Sequence, residues 1–147
     1  MRNAFIRIMN RLGADPRTML LIADTGEYIM RDFKTAYPQQ FINCGIAEQN
    51  MVGVAAGLAL EGYIPFTYSI GAFYSRAYDQ IRVDLCQQNL NVKLVSVGNG
   101  LSYGTMGATH HSLEDVAMLR ALPNMTIFSP CDPEEAAQLT EFAFTLQ

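Results

Sequence analysis

Short apolar runs alternate with longer amphipathic stretches along most of the chain. In Met1–Leu12, arginines are spaced through apolar residues, which is typical of an amphipathic helix. The later apolar runs are short and continuous, as expected for strands of a parallel sheet that is buried on both faces. They predict strands at Met19–Ala23, Phe41–Asn43, Ile64–Ser69, Val92–Gly98 and Thr126–Ser129.

The segments between these runs have the length and composition of helices. They predict helices at Arg31–Tyr37, Ala47–Glu61, Phe73–Gln88 and Leu113–Arg120. This alternation favours an α/β fold, in which a parallel sheet of about five to six strands carries helices on both faces. Ligands of such folds bind beyond the carboxyl ends of the strands, so we expect the chemistry in the loops at those ends.

The last segment begins with a strong helix signal. Asp132 precedes Pro133, and Glu135 follows in the position that a capping box requires. A doubly wound domain normally returns to its sheet after such a helix. We therefore expect residues 1–147 to form a single domain that stops before its last strand. The alternative is a five-stranded sheet that ends with this helix.

Composition excludes several classes of partner. The chain has 147 residues, half of them hydrophobic, which suits one domain with a buried core. A net charge of -4 without any basic run argues against nucleic acid or an anionic membrane as a partner. The longest apolar run, Met51–Leu60, is too short to span a bilayer, and the N-terminus lacks a signal-peptide pattern.

The cysteines and histidines do not have the spacing of a metal site. Cys44, Cys86 and Cys131 are far apart and odd in number, which matches neither a zinc site nor a disulfide framework. We expect buried thiols in a reducing cytoplasm. The adjacent His110 and His111 lack further ligands at a suitable spacing, so we expect no metal site within this chain.

A first motif, FINCGIAEQNM, runs from Phe41 to Met51 and passes from a predicted strand through Gly45 into a predicted helix. Glu48 lies in the first turn of that helix, where the helix dipole stabilises a carboxylate, and this alone could explain it. Because the rest of the helix is almost wholly apolar, we expect the carboxyl group to be partly withdrawn from water. A carboxyl group in such a place can exchange a proton near neutral pH.

The longer stretch GIAEQNMVGVAAGLAL resembles the corresponding segment of transketolases and deoxyxylulose-phosphate synthases. The resemblance implies that Glu48 is a catalytic, cofactor-binding residue that hydrogen-bonds N1′ of the pyrimidine ring of thiamine diphosphate. In that family the contact promotes the imino tautomer, whose 4′-nitrogen then deprotonates C2 of the thiazolium ring.

A second motif follows the predicted strand Ile64–Ser69. A spacing of four residues predicts a buried stripe formed by Phe73, Ala77, Ile81 and Leu85. Periodicity alone therefore assigns Phe73 to the core. The sequence AFYSRAYDQIR nevertheless resembles the transketolase segment whose aromatic residue stacks on the pyrimidine ring, and Phe73 matches that residue. Ile70 and Arg76 match positions that line the same pocket, although Ile70 replaces a usual aromatic residue.

A third motif is a glycine-rich loop from Gly100 to Glu114. It is not a P-loop, because no Gly-Lys-Ser/Thr follows. A histidine on such a loop suits hydrogen bonding or proton transfer. The sequence GATHHSLEDVAMLRALPN resembles the transketolase loop whose histidine contacts the hydroxyl and carbonyl oxygens of the substrate, and His110 matches that catalytic histidine.

Several positions of this loop depart from the sugar-phosphate transketolases. Thr105 and Met106 stand where an acidic pair is usual, Ala108 replaces a usual proline, and His111 stands where glutamine is common. The resemblance therefore leaves the sugar substrate open. The pattern is closer to the split, transketolase-like subunits of bacteria and archaea.

Asp24 follows the first predicted strand in the sequence IADTG. Aspartate is common in turns at strand ends, which would account for it. The segment also resembles the family's Ala-Asp segment near the cofactor, which implies a cofactor-binding role for Asp24.

The Gly-Asp-Gly motif that binds the diphosphate and its metal in this family is absent from the sequence. The resemblance therefore implies that the diphosphate and Mg²⁺ or Ca²⁺ are bound by a domain or subunit outside this chain. We expect the family's C-terminal domain to lie outside these residues as well. Because the cofactor of the family lies between subunits, we expect a homodimer or heterotetramer, and an inactive chain when it is isolated.

The resemblance implies a transferase that moves a two-carbon ketol unit between sugar phosphates. A deoxyxylulose-phosphate synthase and the β component of a 2-oxo-acid dehydrogenase share this domain and remain alternatives. A scaffold subunit without turnover is a further alternative. The missing acidic residues near Met106 allow it, whereas the presence of Glu48, Phe73 and His110 together opposes it.

Overall fold

A parallel sheet of four strands forms the centre of the computed structural model, which describes residues 1–146. The strands lie in the order β2-β1-β3-β4, so that the chain crosses over to bring β3 beside β1. Leu20 of β1 lies between Phe41 of β2 and Phe66 of β3. The strand bounds are Thr18–Ile22 for β1, Phe41–Asn43 for β2, Ile64–Ile70 for β3 and Lys93–Val97 for β4.

Helices cover both faces of this sheet, which confirms the predicted α/β class. The α-helices are α1 (Arg2–Leu12), α2 (Arg31–Ala36), α3 (Glu48–Leu60), α4 (Tyr78–Gln80), α5 (Asp115–Leu119) and α6 (Pro133–Thr145). Short 3-10 helices occur at Glu27–Met30, Pro38–Gln40, Gly71–Ala77 and Gly104–Met106, and a π-helix spans Ile81–Cys86.

Alternate residues of the central strands enter two different cores. Met19 and Leu21 of β1 pack with α3 and the π-helical segment, whereas Leu20 and Ile22 pack with α1 and α2. All five residues of β1 are buried, which is the pattern that a continuous apolar run predicts for a strand covered on both faces.

The fifth predicted strand, Thr126–Ser129, is wrong. These residues form neither helix nor strand, and within residues 1–146 β4 pairs only with β3. Ile127 and Phe128 are each 36% exposed, and the Phe128 ring packs against Phe142 of α6 at 5.9 Å between ring centroids. The Phe128 side chain thus contacts a helix, and the run does not extend the sheet.

The predicted helix Phe73–Gln88 is helical but changes pitch twice. It begins as a 3-10 helix, passes through one short α-helical stretch and continues as a π-helix. The buried stripe accordingly contains Tyr74, Ala77, Ile81 and Leu85, while Phe73 is only half-buried. The assignment of Phe73 to this stripe is wrong because the first turn contains about three residues instead of 3.6.

Two local predictions have different outcomes. The side chain of Asp132 accepts a hydrogen bond from the Glu135 N–H at 2.8 Å, which confirms Asp132 as the N-cap of α6. The carboxylate of Glu135 accepts a hydrogen bond from the N–H of Cys131 and not from the N–H of Asp132, so the capping box is not completed.

Cys86 is buried as expected, but Cys44 is half-buried and Cys131 is exposed, so the expectation of three buried thiols is wrong. None of the helices in residues 1–146 combines the length and apolar composition needed to cross a membrane.

Candidate functional site

Glu48 is a buried carboxylate at the carboxyl edge of the sheet. β2 ends at Asn43, the chain turns through Gly45 at a φ of 71°, and α3 begins at Glu48. Only 2% of the Glu48 side chain is exposed. Its Oε2 lies 3.3 Å from Nη1 of Arg76, while Oε1 has no hydrogen-bond partner among the described residues. A buried carboxylate oxygen of this kind normally accepts a hydrogen bond, so Oε1 is placed to accept one from a bound group.

Arg76 and Phe73 lie side by side at the entrance to this carboxylate. The Arg76 guanidinium is 4.8 Å from the centroid of the Phe73 ring, and 56% of the Arg76 side chain is exposed. The 3-10 turn directs Phe73 away from the core that contains its neighbour Tyr74. An aromatic ring, a cation and a buried carboxylate therefore occur together at one place.

His110 completes this cluster from the glycine-rich loop. Its ring meets the Phe73 ring edge-on at 5.3 Å and the Tyr103 ring at 5.7 Å between centroids. Nδ1 of His110 lies 2.9 Å from Oγ1 of Thr109, which leaves Nε2 free of hydrogen bonds within residues 1–146. His111 instead hydrogen-bonds the carbonyl oxygen of Gly104 at 3.0 Å through Nε2, which holds the loop together.

Tyr74 lies in the core behind Glu48 and is held neutral. Its hydroxyl is 2.9 Å from Oγ1 of Thr67. Withdrawal from water raises the pKa of Tyr74 strongly, and the negative charge of Glu48 raises it further. The protonated phenol adds no charge to the surroundings of Glu48.

A cavity of about 690 Å³ opens on the α1 side of the same sheet edge. Arg2, Tyr68, Gly98 and Tyr103 are among its lining residues. Burial raises the pKa of Tyr68 to about 12. Because Tyr103 both lines the cavity and contacts His110, the cavity adjoins the cluster around Glu48.

The other predicted site residues lie outside this cluster of contacts. Asp24 is exposed, has a φ of 58°, and accepts a hydrogen bond from Nδ2 of Asn43 at 3.1 Å. Oδ1 of Asn43 in turn accepts from the N–H of Gly45 at 3.0 Å, so the pair shapes the turn that leads to Glu48. Ile70 is buried at the end of β3.

The sequence reasoning missed three residues of the site: Asn43, Tyr74 and Tyr103. Tyr74 has a sequence signal, because it follows Phe73 within the same motif. Asn43 and Tyr103 also lie inside the first and third motifs, but periodicity reveals neither the contact of Asn43 with Asp24, 19 positions away, nor that of Tyr103 with His110 in the same loop.

Together these features define a parallel α/β domain that presents an incomplete polar and aromatic ligand site at the carboxyl edge of its sheet. The model of the family described as "Transketolase, pyrimidine binding domain" matches residues 1–147. The chain therefore belongs to the transketolase family and corresponds to its pyrimidine binding domain.

Relatives and solved structures agree with this assignment. The chain is 44% identical over 117 residues to one of the subunits of the apulose-4-phosphate transketolase of Phocaeicola vulgatus, a match that covers 79% of this chain and 38% of that protein. It is 41% identical over 116 residues to 1-deoxy-D-xylulose-5-phosphate synthase of Listeria monocytogenes, which covers 79% of this chain and 19% of the synthase. The fold superposes with a TM-score of 0.87 on a structure described as a split gene transketolase in an inactive beta4 tetramer, at 38% identity over 99% of this chain and 47% of the other. The chain thus spans less than half the length of each of these proteins.

Proposed function

We propose that this chain supplies the pyrimidine-binding half of the active site of a thiamine-diphosphate-dependent, transketolase-type transferase. The observation that carries this proposal is the unpaired Oε1 of Glu48, a buried acceptor beside the rings of Phe73 and His110. Such an oxygen suits a ring nitrogen that can carry a proton, as the pyrimidine of the cofactor presents.

The residues present fit this cofactor. Glu48 would bind the pyrimidine nitrogen, and Phe73 offers a half-buried ring for stacking, with Ile70 and Arg76 beside it. Asp24 would act through the turn it forms with Asn43. The cofactor, when bound, would supply a nucleophilic carbon and an electron sink for the negative charge that develops on the substrate. We propose that the diphosphate and Mg²⁺ or Ca²⁺ are held outside this chain, since the sequence has no Gly-Asp-Gly motif.

Each residue of the cluster has a definite task in this scheme. Glu48 holds or releases a proton at Oε1, and Arg76 balances the charge at Oε2. Nε2 of His110 is free to hydrogen-bond a hydroxyl or carbonyl oxygen of the substrate. Tyr74 is buried within reach of the charge of Glu48 and adds no charge of its own.

We further propose a sugar phosphate as the substrate of the complete enzyme, in which a two-carbon ketol unit is transferred. The cavity beside Tyr103 provides space, and Arg2 provides a positive charge at its edge. Neither Thr105 nor Met106 provides a carboxylate for substrate hydroxyl groups, which favours a sugar other than the usual transketolase substrates. The relative in Phocaeicola vulgatus, named for apulose 4-phosphate, is consistent with such a departure.

The site needs a second protein surface to be complete. Ile46, beside Glu48 in the sequence, is 77% exposed, and Met106 on the histidine loop is 54% exposed. We propose that a diphosphate-binding domain or subunit covers this surface in a cytoplasmic homodimer or heterotetramer, and that the isolated chain has no activity. The split gene transketolase structure, described as an inactive beta4 tetramer, is consistent with self-association and inactivity of such a chain, and the second kind of subunit belongs to our proposal.

The test is Glu48→Gln in the complete enzyme, reconstituted with thiamine diphosphate and Mg²⁺. Glutamine keeps the shape of the side chain but cannot exchange the proton, so we expect kcat to fall at least about 100-fold. Glu61→Gln, an exposed change at the other end of α3, is the matched control and should leave kcat unchanged. Equal turnover by the Glu48→Gln enzyme would identify a scaffold subunit instead of a catalyst.

A second candidate function is deoxyxylulose-phosphate synthesis, which the 41% identity to the Listeria monocytogenes synthase favours. Both reactions use the same pyrimidine domain, so the donor substrate, a ketose phosphate or pyruvate, distinguishes the two candidate functions. Turnover with a ketose phosphate but not with pyruvate would support ketol transfer. The reverse preference would assign the chain to a synthase.

A further inference from the structure

Asp115 is a buried carboxylate to which the proposed function assigns no role. It is the first residue of α5 and is 8% exposed. Its Oδ2 accepts a hydrogen bond from Nδ2 of Asn99 at 3.0 Å and lies 3.5 Å from Oγ of Ser96. Its Oδ1 accepts from the N–H of Val116 at 2.9 Å. A buried charge is costly unless it is well paired, so this arrangement calls for a function.

Asn99 connects this carboxylate to the base of the loop that carries His110. The residue after it, Gly100, exchanges two backbone hydrogen bonds with Ser112, at 2.8 and 3.0 Å. These bonds close the loop between Gly100 and Ser112, and His110 lies two residues before that closure. Oδ1 of Asn99 also accepts from Oγ of Ser96 in β4, so Asn99 ties the loop to the sheet as well.

The same closure packs directly on the segment that presents Phe73. A Cβ added at Gly71 would lie 2.5 Å from both Oγ of Ser112 and Oγ of Ser96. Gly71 is therefore in close contact with the base of the histidine loop, and it begins the 3-10 helix that contains Phe73. The contact between Gly71 and the base of the histidine loop therefore helps to set the separation of 5.3 Å between the rings of Phe73 and His110.

We propose that Asp115 is a positioning residue, which acts through Asn99 to hold His110 against Phe73. The substrate role of His110 rests on the proposed function, whereas the positioning of its loop does not. A carboxylate is needed because its two oxygens serve Asn99 and the Val116 N–H at once. An asparagine would place an NH2 group at one of these two positions, and that group cannot accept a hydrogen bond.

The experiment compares Asp115→Asn, Asn99→Ala and the double variant in the complete enzyme. Asn99 is exposed, so its replacement removes the same link without altering the core if Asp115→Asn fails to fold. Glu61→Gln is the control, because it neutralises an exposed carboxylate at the end of α3, away from the histidine loop. Amide hydrogen exchange in residues 99–113 measures loop positioning, and steady-state kinetics measure its effect on turnover.

We expect exchange in residues 99–113 to be at least about tenfold faster in both single variants, because local opening becomes easier. We expect kcat to fall about 10-fold to 100-fold with a smaller change in KM, since a small displacement of a reacting group has effects of this size. The kcat of the double variant should be no lower than that of the poorer single variant, as expected for two residues that act through the same hydrogen bond.

Unchanged exchange in these residues, or losses in kcat that multiply in the double variant, would overturn the proposal. Faster exchange with full turnover would uphold the positioning by Asp115 and refute the substrate role of His110. The failure of the proposed function is therefore distinguishable from the failure of this inference.

Discussion

The ion pair between Arg76 and Glu48 provides a test of how the site is held before any ligand binds. Arg76→Met keeps an apolar side chain near Phe73 but removes the charge opposite Oε2 of Glu48. Breaking a fully buried ion pair typically costs about 3–5 kcal/mol of unfolding free energy. Because 56% of the Arg76 side chain is exposed, water can replace part of the interaction, and we expect a loss of about 1–2 kcal/mol.

Urea unfolding at pH 7 measures this loss, and Arg82→Met is the matched control. Arg82 pairs with Asp79 at the shorter distance of 2.6 Å, but both side chains are exposed. We therefore expect Arg82→Met to cost less than about 0.5 kcal/mol. In a Glu48→Gln background, the cost of Arg76→Met should shrink by about 1 kcal/mol. Equal costs for the two arginines, or no coupling to Glu48, would refute the reasoning that burial of Glu48 makes the pair important.

Two further substitutions test the cavity beside Tyr103. Tyr68→Phe should change the unfolding free energy by less than about 0.5 kcal/mol at pH 7, because its hydroxyl has no hydrogen bond within residues 1–146. Since the pKa of Tyr68 is raised from 10.0 to about 12, the folded chain keeps a proton that the unfolded chain loses, so stability falls between these pH values. A Tyr68→Phe chain should show a shallower fall in urea titrations, and an identical slope would contradict the raised pKa. Gly98→Ala should cost at least about 1–2 kcal/mol by the same method, because Gly98 has a φ of 76° and a Cβ there would overlap the Tyr103 ring. A cost below about 0.5 kcal/mol would show that Tyr103 is free to move aside.

The success of the fold prediction has a simple physical origin. Runs such as Met19–Ala23 are apolar at every position, and only a strand covered on both faces buries all of its side chains at once. Thr126–Ser129 has only two apolar residues, between Thr126 and Ser129, and a strand also requires a neighbouring strand to pair with. In residues 1–146 its aromatic side chain finds a partner in α6 instead. Pairing of this kind is a long-range property that a short run does not encode.

The site was predicted as far as its residues lie in compact motifs. The structure brings Phe73, Arg76, Glu48 and His110 into one cluster, with Glu48 meeting Arg76 and with Phe73 meeting both Arg76 and His110. Asp115 and Asn99 were not predicted, because their importance arises from one hydrogen bond across 16 positions of the sequence. Periodicity placed Phe73 in the core because it assumes 3.6 residues per turn, and the glycine-led 3-10 turn does not follow that rule.

This change of pitch places Phe73 and Tyr74, neighbours in the sequence, in opposite surroundings. In a saturation mutagenesis experiment scored for folding, position 73 should tolerate most side chains, whereas position 74 should reject nearly all of them. Scored for catalysis, both positions should become restrictive. The difference between the two scores would separate requirements of activity from requirements of folding, residue by residue along this turn.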